Sequence, residues 1–161
     1  MSRQASVTGD RLLYAAYGSN LSFARLRSRV SGFSRPYGQG ILAGWRLQWI
    51  RGVLNITPSV DDVVPVGFWL LDMQSAADLD RYEGVPTFYT RRTLMAMRNV
   101  LEQEFQTVPC MVYVMTGETD DRASTEIRPS PNYLEQVRAG YGNFGLERWI
   151  DRFDTTLVPF D

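Results

Sequence analysis

The sequence predicts an α+β domain built on an antiparallel or mixed sheet, small enough to close into a barrel. Three observations carry that expectation. Strand-like runs follow one another along most of the chain, separated by turn residues. Helical stripes are few and short, with well-marked ends. No internal repeat, low-complexity segment or linker divides the 161 residues, a length that suits one domain.

The elements follow in order. Residues 1–10 are polar and small, which predicts a mobile tail, and residues 11–161 form the single domain. Leu12 to Tyr17 is apolar at both parities, the pattern of a strand buried on both faces, and it stops at Gly18-Ser19-Asn20. Phe23, Leu26 and Val30 then recur at helical spacing, predicting a helix from Leu21 to Val30 with Arg25, Arg27 and Arg29 largely on its wet side. Five more strands are expected at Ile41 to Trp49, Val53 to Thr57, Val63 to Leu71, Thr87 to Met97 and Thr107 to Met115. Pro65 demands that the third of these begin late or lie at an edge. Ser59 to Asp62 and Gly117 to Asp121 read as acidic turns, and Glu102-Gln103-Glu104 as a hairpin tip. Ser130-Pro131 is an N-cap followed by Pro at the first helical position, opening a helix that the stripe Tyr133, Leu134, Val137 carries to Gly140. A last short helix is expected from Leu146 to Phe153.

The segment Gln74 to Gly84 predicts a further helix. Ser75 to Asp78 matches a helix-start pattern, with Asp72 as a competing cap, and Gly84 and Pro86 are stop signals. At about 100° per residue, Ala76, Leu79 and Glu83 share one stripe while Asp78 and Arg81 point away and Asp80 flanks. A carboxylate on a core-facing stripe must be paired, hydrogen-bonded or neutralised. It is either an ion pair with one of the many Arg residues or a general base in a pocket; periodicity alone favours the ion pair. The Gly18-Ser19-Asn20 turn has a similar double reading. Backbone N–H groups where a strand feeds a helix attract an anion, while Ser19 and Asn20 equally serve as helix caps.

Composition removes much other chemistry. The chain has no His, and its 17 basic residues are all Arg, so Lys is absent as well. Ser-His-Asp and Cys-His machinery, zinc helices, Schiff bases and the Walker lysine are thereby excluded. Carboxylates, hydroxyls, Tyr, Arg and backbone dipoles remain. The residues imply neither metal nor cofactor. A net charge of -1 gives no global attraction to nucleic acid or to an anionic membrane. The lone Cys110 precludes an internal disulfide and lies in an apolar strand, as a small core residue. Without a signal-type leader or an apolar span, the chain reads as cytoplasmic.

Three motifs in order resemble the γ-glutamylcyclotransferase superfamily. Tyr14-Ala15-Ala16-Tyr17-Gly18-Ser19-Asn20-Leu21 is similar to its strand-plus-turn signature. Leu79 to Val85, followed by Tyr89 and Arg91, resembles the segment that carries its catalytic Glu, and Pro129 to Leu134 its C-terminal helix. Weaker similarity covers Leu42 to Leu47 and Gly52 to Pro58, so that the resemblance spans Leu12 to Leu146. The turn reads Tyr-Gly-Ser-Asn, unlike the Tyr-Gly-Ser-Leu type of the glutathione-specific branch and the Tyr-Gly-Thr-Leu type of the γ-glutamylamine branch.

The resemblance implies a small, mostly antiparallel β-barrel flanked by short helices, with a pocket at one end. It implies a small γ-glutamyl substrate whose α-amine attacks its own γ-carbonyl, forming 5-oxoproline and expelling an amino acid or amine. Glu83 would be the general acid/base; Tyr14, Ala15, Ala16, Tyr17, Gly18, Ser19 and Asn20 would hold the γ-glutamyl moiety, with Tyr89 and Tyr133 lining the pocket. Three alternatives stand beside it: a γ-glutamylamine-type enzyme acting on a metabolite amine, a non-catalytic binding module on the same barrel, and an Arg-rich nucleic-acid binder. The last conflicts with the even dispersal of Arg among acids.

Overall fold

A computed structural model describes residues 10–115 and 127–151. The predicted tail before Asp10, the acidic stretch Gly117 to Asp121 and the end of the last predicted helix beyond Asp151 lie outside the described residues. Five strands, β1 (Arg11–Ala16), β2 (Ser34–Ile50), β3 (Val53–Asp72), β4 (Tyr89–Leu101) and β5 (Glu104–Met115), close into a ring in the order β1-β3-β2-β4-β5. Every junction is antiparallel except the closing one, where β1 runs parallel to β5 at Tyr14 and Met111. The mixed, mostly antiparallel barrel expected from the sequence is therefore present. Among the described residues three helices flank it: α1 (Phe23–Arg29), α2 (Met73–Glu83) and α3 (Pro131–Asn143). None is long and apolar enough to cross a membrane.

The strands are fewer and longer than predicted, because β2 and β3 form one long ribbon. Arg51 and Gly52, both at positive φ (55° and 79°), make the tight turn that joins them. The stretch Ser59 to Asp62, expected to be a turn between two strands, lies inside β3. There the pairing jumps from Ala43↔Val63 to Trp45↔Pro58, so four residues of β3 face Gly44 alone. Gly44 has φ +89°, Val60 is 93% exposed, and the Ser59 hydroxyl donates to Asp62. This is a large, irregular bulge, which accommodates the polar, turn-like sequence without ending the strand. Pro65 sits within β3 but beyond Gly67, where β1 stops pairing, so a locally free edge accommodates the missing donor.

The helices dock by specific contacts. Ser22 caps α1 by accepting the Arg25 N–H at 3.1 Å, and a 3-10 turn (Ser19–Leu21) precedes it. Trp69, fully buried in β3, donates its indole N–H to the Asn20 carbonyl at 3.0 Å and pins that turn to the barrel wall. α3 starts as predicted, Ser130 accepting from Tyr133 N–H, but continues past Gly140 to Asn143. Gly140 is required for a different reason: a Cβ there would meet Leu21 Cβ at 2.3 Å. After α3 the expected final helix begins as a 3-10 turn, Glu147–Trp149. Buried side chains on both faces of β3 and β5, among them Phe68, Trp69, Val112 and Tyr113, join Leu21 and Tyr141 in one core, with Trp69 packed against Phe23 and Phe144 from the flanking segments.

Candidate active site

A cavity of about 270 Å³ opens at the end of the barrel where β1 passes into its turn. Its floor is tyrosine-rich. Tyr14 and Tyr17 come from β1, Tyr89 from the start of β4, Tyr113 from β5 and Tyr133 from α3. Gly18, Ser19 and Asn20 form one wall, Val53 and Leu54 another, and the C-terminal turn of α2 brings in Tyr82 and Glu83.

Glu83 owes its position to the way α2 ends. Gly84 takes the left-handed conformation at φ 65°, its N–H reaches the Arg81 carbonyl at 3.3 Å, and Val85 N–H reaches that of Asp80 at 3.0 Å. The helix stops with Glu83 as its last residue, and the side chain is 14% exposed. Among the described residues it makes no hydrogen bond. Arg29 Nη1 lies 3.7 Å from Oε2, a charge contact longer than a hydrogen bond. Burial pushes the Glu83 carboxyl up to about 7, Arg29 and Arg25 pull it down, and Asp80 adds to the rise. The ion pair that periodicity favoured is thus present but loose, and desolvation outweighs it.

The turn beside Glu83 is held from several directions. Arg29 Nη1 donates to Asn20 Oδ1 at 3.0 Å, and Asn20 Nδ2 donates to the Tyr14 hydroxyl at 3.1 Å. Ser19 and Asn20 therefore do not cap α1, which Ser22 does; Asn20 instead links the strand end to the helix. The Tyr133 hydroxyl accepts the Leu54 N–H at 3.0 Å and faces the Ser19 N–H. It also lies where a side chain at residue 18 would be, since a Cβ on Gly18 would come within 2.9 Å of it. Tyr89 donates to the Leu54 carbonyl at 2.7 Å and Tyr17 to the Tyr113 carbonyl at 2.6 Å. Burial, reinforced by the Glu83 charge, raises the hydroxyls of Tyr14, Tyr17, Tyr89 and Tyr133 far above the phenol range. These groups stay protonated and serve as hydrogen-bonding groups, which leaves Glu83 as the lining residue poised to exchange a proton near neutrality.

Most predicted site residues meet here: Tyr14, Tyr17, Gly18, Ser19, Asn20, Glu83, Tyr89 and Tyr133 all line the cavity. Ala15 and Ala16 do not. Both are fully buried in β1, away from the cavity. The sequence reading missed Arg25 and Arg29, which it placed on the wet side of α1. Their spacing of four puts them on one face, a signal that charge alone obscured. It also missed Tyr113, whose hydroxyl donates to Asp80 Oδ1 at 2.7 Å beside Arg91 Nε at 2.8 Å. Among the described residues no three His, Cys, Asp or Glu side chains converge as metal ligands.

Residues 14–135 match the family model described as gamma-glutamyl cyclotransferase, AIG2-like. The chain belongs to that family. A bovine gamma-glutamylcyclotransferase is 28% identical over 172 residues, covering 97% of this chain and 84% of the relative. A mouse gamma-glutamylcyclotransferase is 26% identical over 155 residues, covering 88% and 76%. A solved structure named gamma-glutamyl cyclotransferase superposes with a TM-score of 0.68 at 24% identity, over 84% of this chain and 81% of that one, and shares its fold. The region matched by the family model contains every cavity residue named above, from Tyr14 to Tyr133.

Proposed function

We propose that the protein cyclises the γ-glutamyl group of a small substrate to 5-oxoproline, releasing an amino acid or amine, with Glu83 as the general acid/base. One observation carries this reading: a carboxylate without a hydrogen bond, pushed up to about 7 by burial, in a cavity beside the Gly18-Ser19-Asn20 turn.

The substrate supplies both nucleophile and electrophile. Its α-ammonium gives a proton to Glu83, and the freed amine attacks the γ-carbonyl carbon to form the new C–N bond. The oxyanion of the tetrahedral intermediate is met by donors fixed at the turn. Collapse breaks the original amide C–N bond, and the departing nitrogen takes back the proton that Glu83 holds. The nucleophilic nitrogen loses two protons in all and the departing amine gains two, so the overall reaction consumes no water. Holding the folded-back conformer lowers the barrier as in other oriented intramolecular reactions, for which about 7–11 kcal/mol is an upper range. The remaining demand on the protein is one base of matched pKa and an oxyanion site, which a chain lacking His and Lys meets with a carboxylate and backbone N–H groups.

The test is release of 5-oxoproline from γ-glutamyl-alanine, γ-glutamyl methylamide and glutathione by the wild-type chain and by Glu83→Gln. Turnover of at least one compound by the wild type, with loss in the variant while its circular dichroism is unchanged, is expected. Equal turnover by the two proteins would remove Glu83 from the mechanism, and no release from any compound would leave a binding module.

A further inference from the structure

Two guanidinium groups reach the cavity, and they differ in what they hold. Arg29 is engaged with Asn20 at 3.0 Å and Glu83 at 3.7 Å, and lies over the Tyr82 ring at 4.9 Å from its centroid. Arg25 sits one turn earlier on the same face of α1, half-buried and lining the same cavity. Among the described residues its side chain has neither an ion-pair nor a hydrogen-bond partner. Burial and the neighbouring charge of Arg29 both disfavour its cationic form, whereas Tyr133 and the Glu83 carboxylate act in its favour. A partly desolvated cation without a counter-ion is unfavourable unless something anionic arrives to neutralise it.

The head of an α-amino acid carries an ammonium and a carboxylate on a single carbon. A wall presenting one carboxylate and one uncompensated guanidinium is its complement. We propose that Arg25 anchors the α-carboxylate of the γ-glutamyl group while Glu83 receives the α-ammonium on the same carbon. This rests on the reading of the cavity as a γ-glutamyl site. Glu83 and Arg25 line the same cavity, so one ligand carbon can present its carboxylate to Arg25 and its ammonium to Glu83. A carboxylate on the leaving group lies beyond the scissile bond and is a poorer match. Arg25 then selects for an α-carboxylate on the glutamyl side and leaves the departing amine unconstrained. The α-carboxylate survives the reaction, so the product 5-oxoproline keeps the contact, and binding is measurable without turnover.

The experiment is calorimetric binding of 5-oxoproline and of its carboxamide, 5-oxoprolinamide, to wild type, Arg25→Gln, Arg25→Lys and Arg27→Gln. Arg27 lies on the same helix outside the cavity, over the rings of Phe23 and Trp69. The wild type and Arg27→Gln should prefer the acid by about tenfold or more, as a charge-assisted contact predicts. Arg25→Gln should bind the two within about twofold, and Arg25→Lys should recover part of the preference. Turnover of γ-glutamyl-alanine by Arg25→Gln should show a raised KM, and because Arg25 also pulls the Glu83 carboxyl down, the acid limb of its pH–rate profile should move to higher pH. A wild type without preference for the acid overturns the assignment, as does an Arg25→Gln that keeps the preference. If the wild type binds 5-oxoproline through Arg25 yet releases none from any γ-glutamyl compound, the anchor stands and the catalytic reading falls.

Discussion

At the cap and middle of α2 the carboxylates are wrapped in donors, whereas at its end Glu83 has none. Asp72 caps the helix, accepting Ser75 N–H and Phe33 N–H at 2.9 Å each. Asp78 is buried and accepts Ser31 N–H at 2.8 Å, the Ser31 hydroxyl at 2.7 Å and Gln74 Nε2 at 3.0 Å, with Arg81 also in contact. Those hydrogen bonds hold both carboxyls below the ordinary carboxylate range, while burial lifts Glu83 above it. Two positions on one short helix thus have opposite proton affinities, and the difference lies in donor supply. A carboxylate held by donors fastens the β1–β3 end of the ring to α1 and α2. One placed without donors in a cavity is available for chemistry.

Asp72 and Asp78, with depressed values, contribute stability above their ordinary range and lose it as the pH falls through their folded values. Glu83, raised above its unfolded value, does the reverse: its contribution is complete below about 4.5 and is lost as the pH rises through about 7.

The largest expected effect is on turnover. Glu83→Gln should lower kcat for 5-oxoproline release by about 10²–10⁴-fold, the range for loss of general acid–base catalysis. The same variant should be more stable than the wild type at pH 8, by about 2–3 kcal/mol in denaturant unfolding, because the cost of a buried charge disappears. A loss of both activity and stability would mean that Glu83 is structural, like Asp78. Asp78→Ala should do the opposite, lowering Tm by roughly 2–6 °C while kcat stays within a few-fold of wild type. The smallest effect is expected from Arg29→Gln. Removing the nearest cation should move the acid limb of the pH–rate profile to higher pH, whereas a residue that merely held the turn would leave the limb in place.

Much of this was legible in the residues. The strand-turn-helix unit at Leu12 to Val30, the bounded helix carrying Glu83 and the Ser130-Pro131 start of α3 rest on local signals: parity, caps and stop residues. The pairing of β2 with β3 was not legible, because a bulge such as Ser59 to Asp62 has the composition of a turn and only the partner strand shows that the chain carries straight on. Arg25 and Arg29 were hidden for a related reason. Polarity assigns them to solvent, but the surface they face is the inside of a polar cavity that other elements build. Asp78 was placed opposite the apolar stripe correctly, yet it is buried there by the loop that carries Ser31, which helical periodicity does not foresee.

If Glu83 acts as a base because it is left without donors, the pH dependence of turnover carries its signature. For whichever γ-glutamyl compound the wild type converts, kcat/KM should rise with pH through a limb centred near 7, set by the buried carboxylate. A profile that is flat from about pH 5 to 8, or whose limb falls in the ordinary carboxylate range near 4, would contradict it.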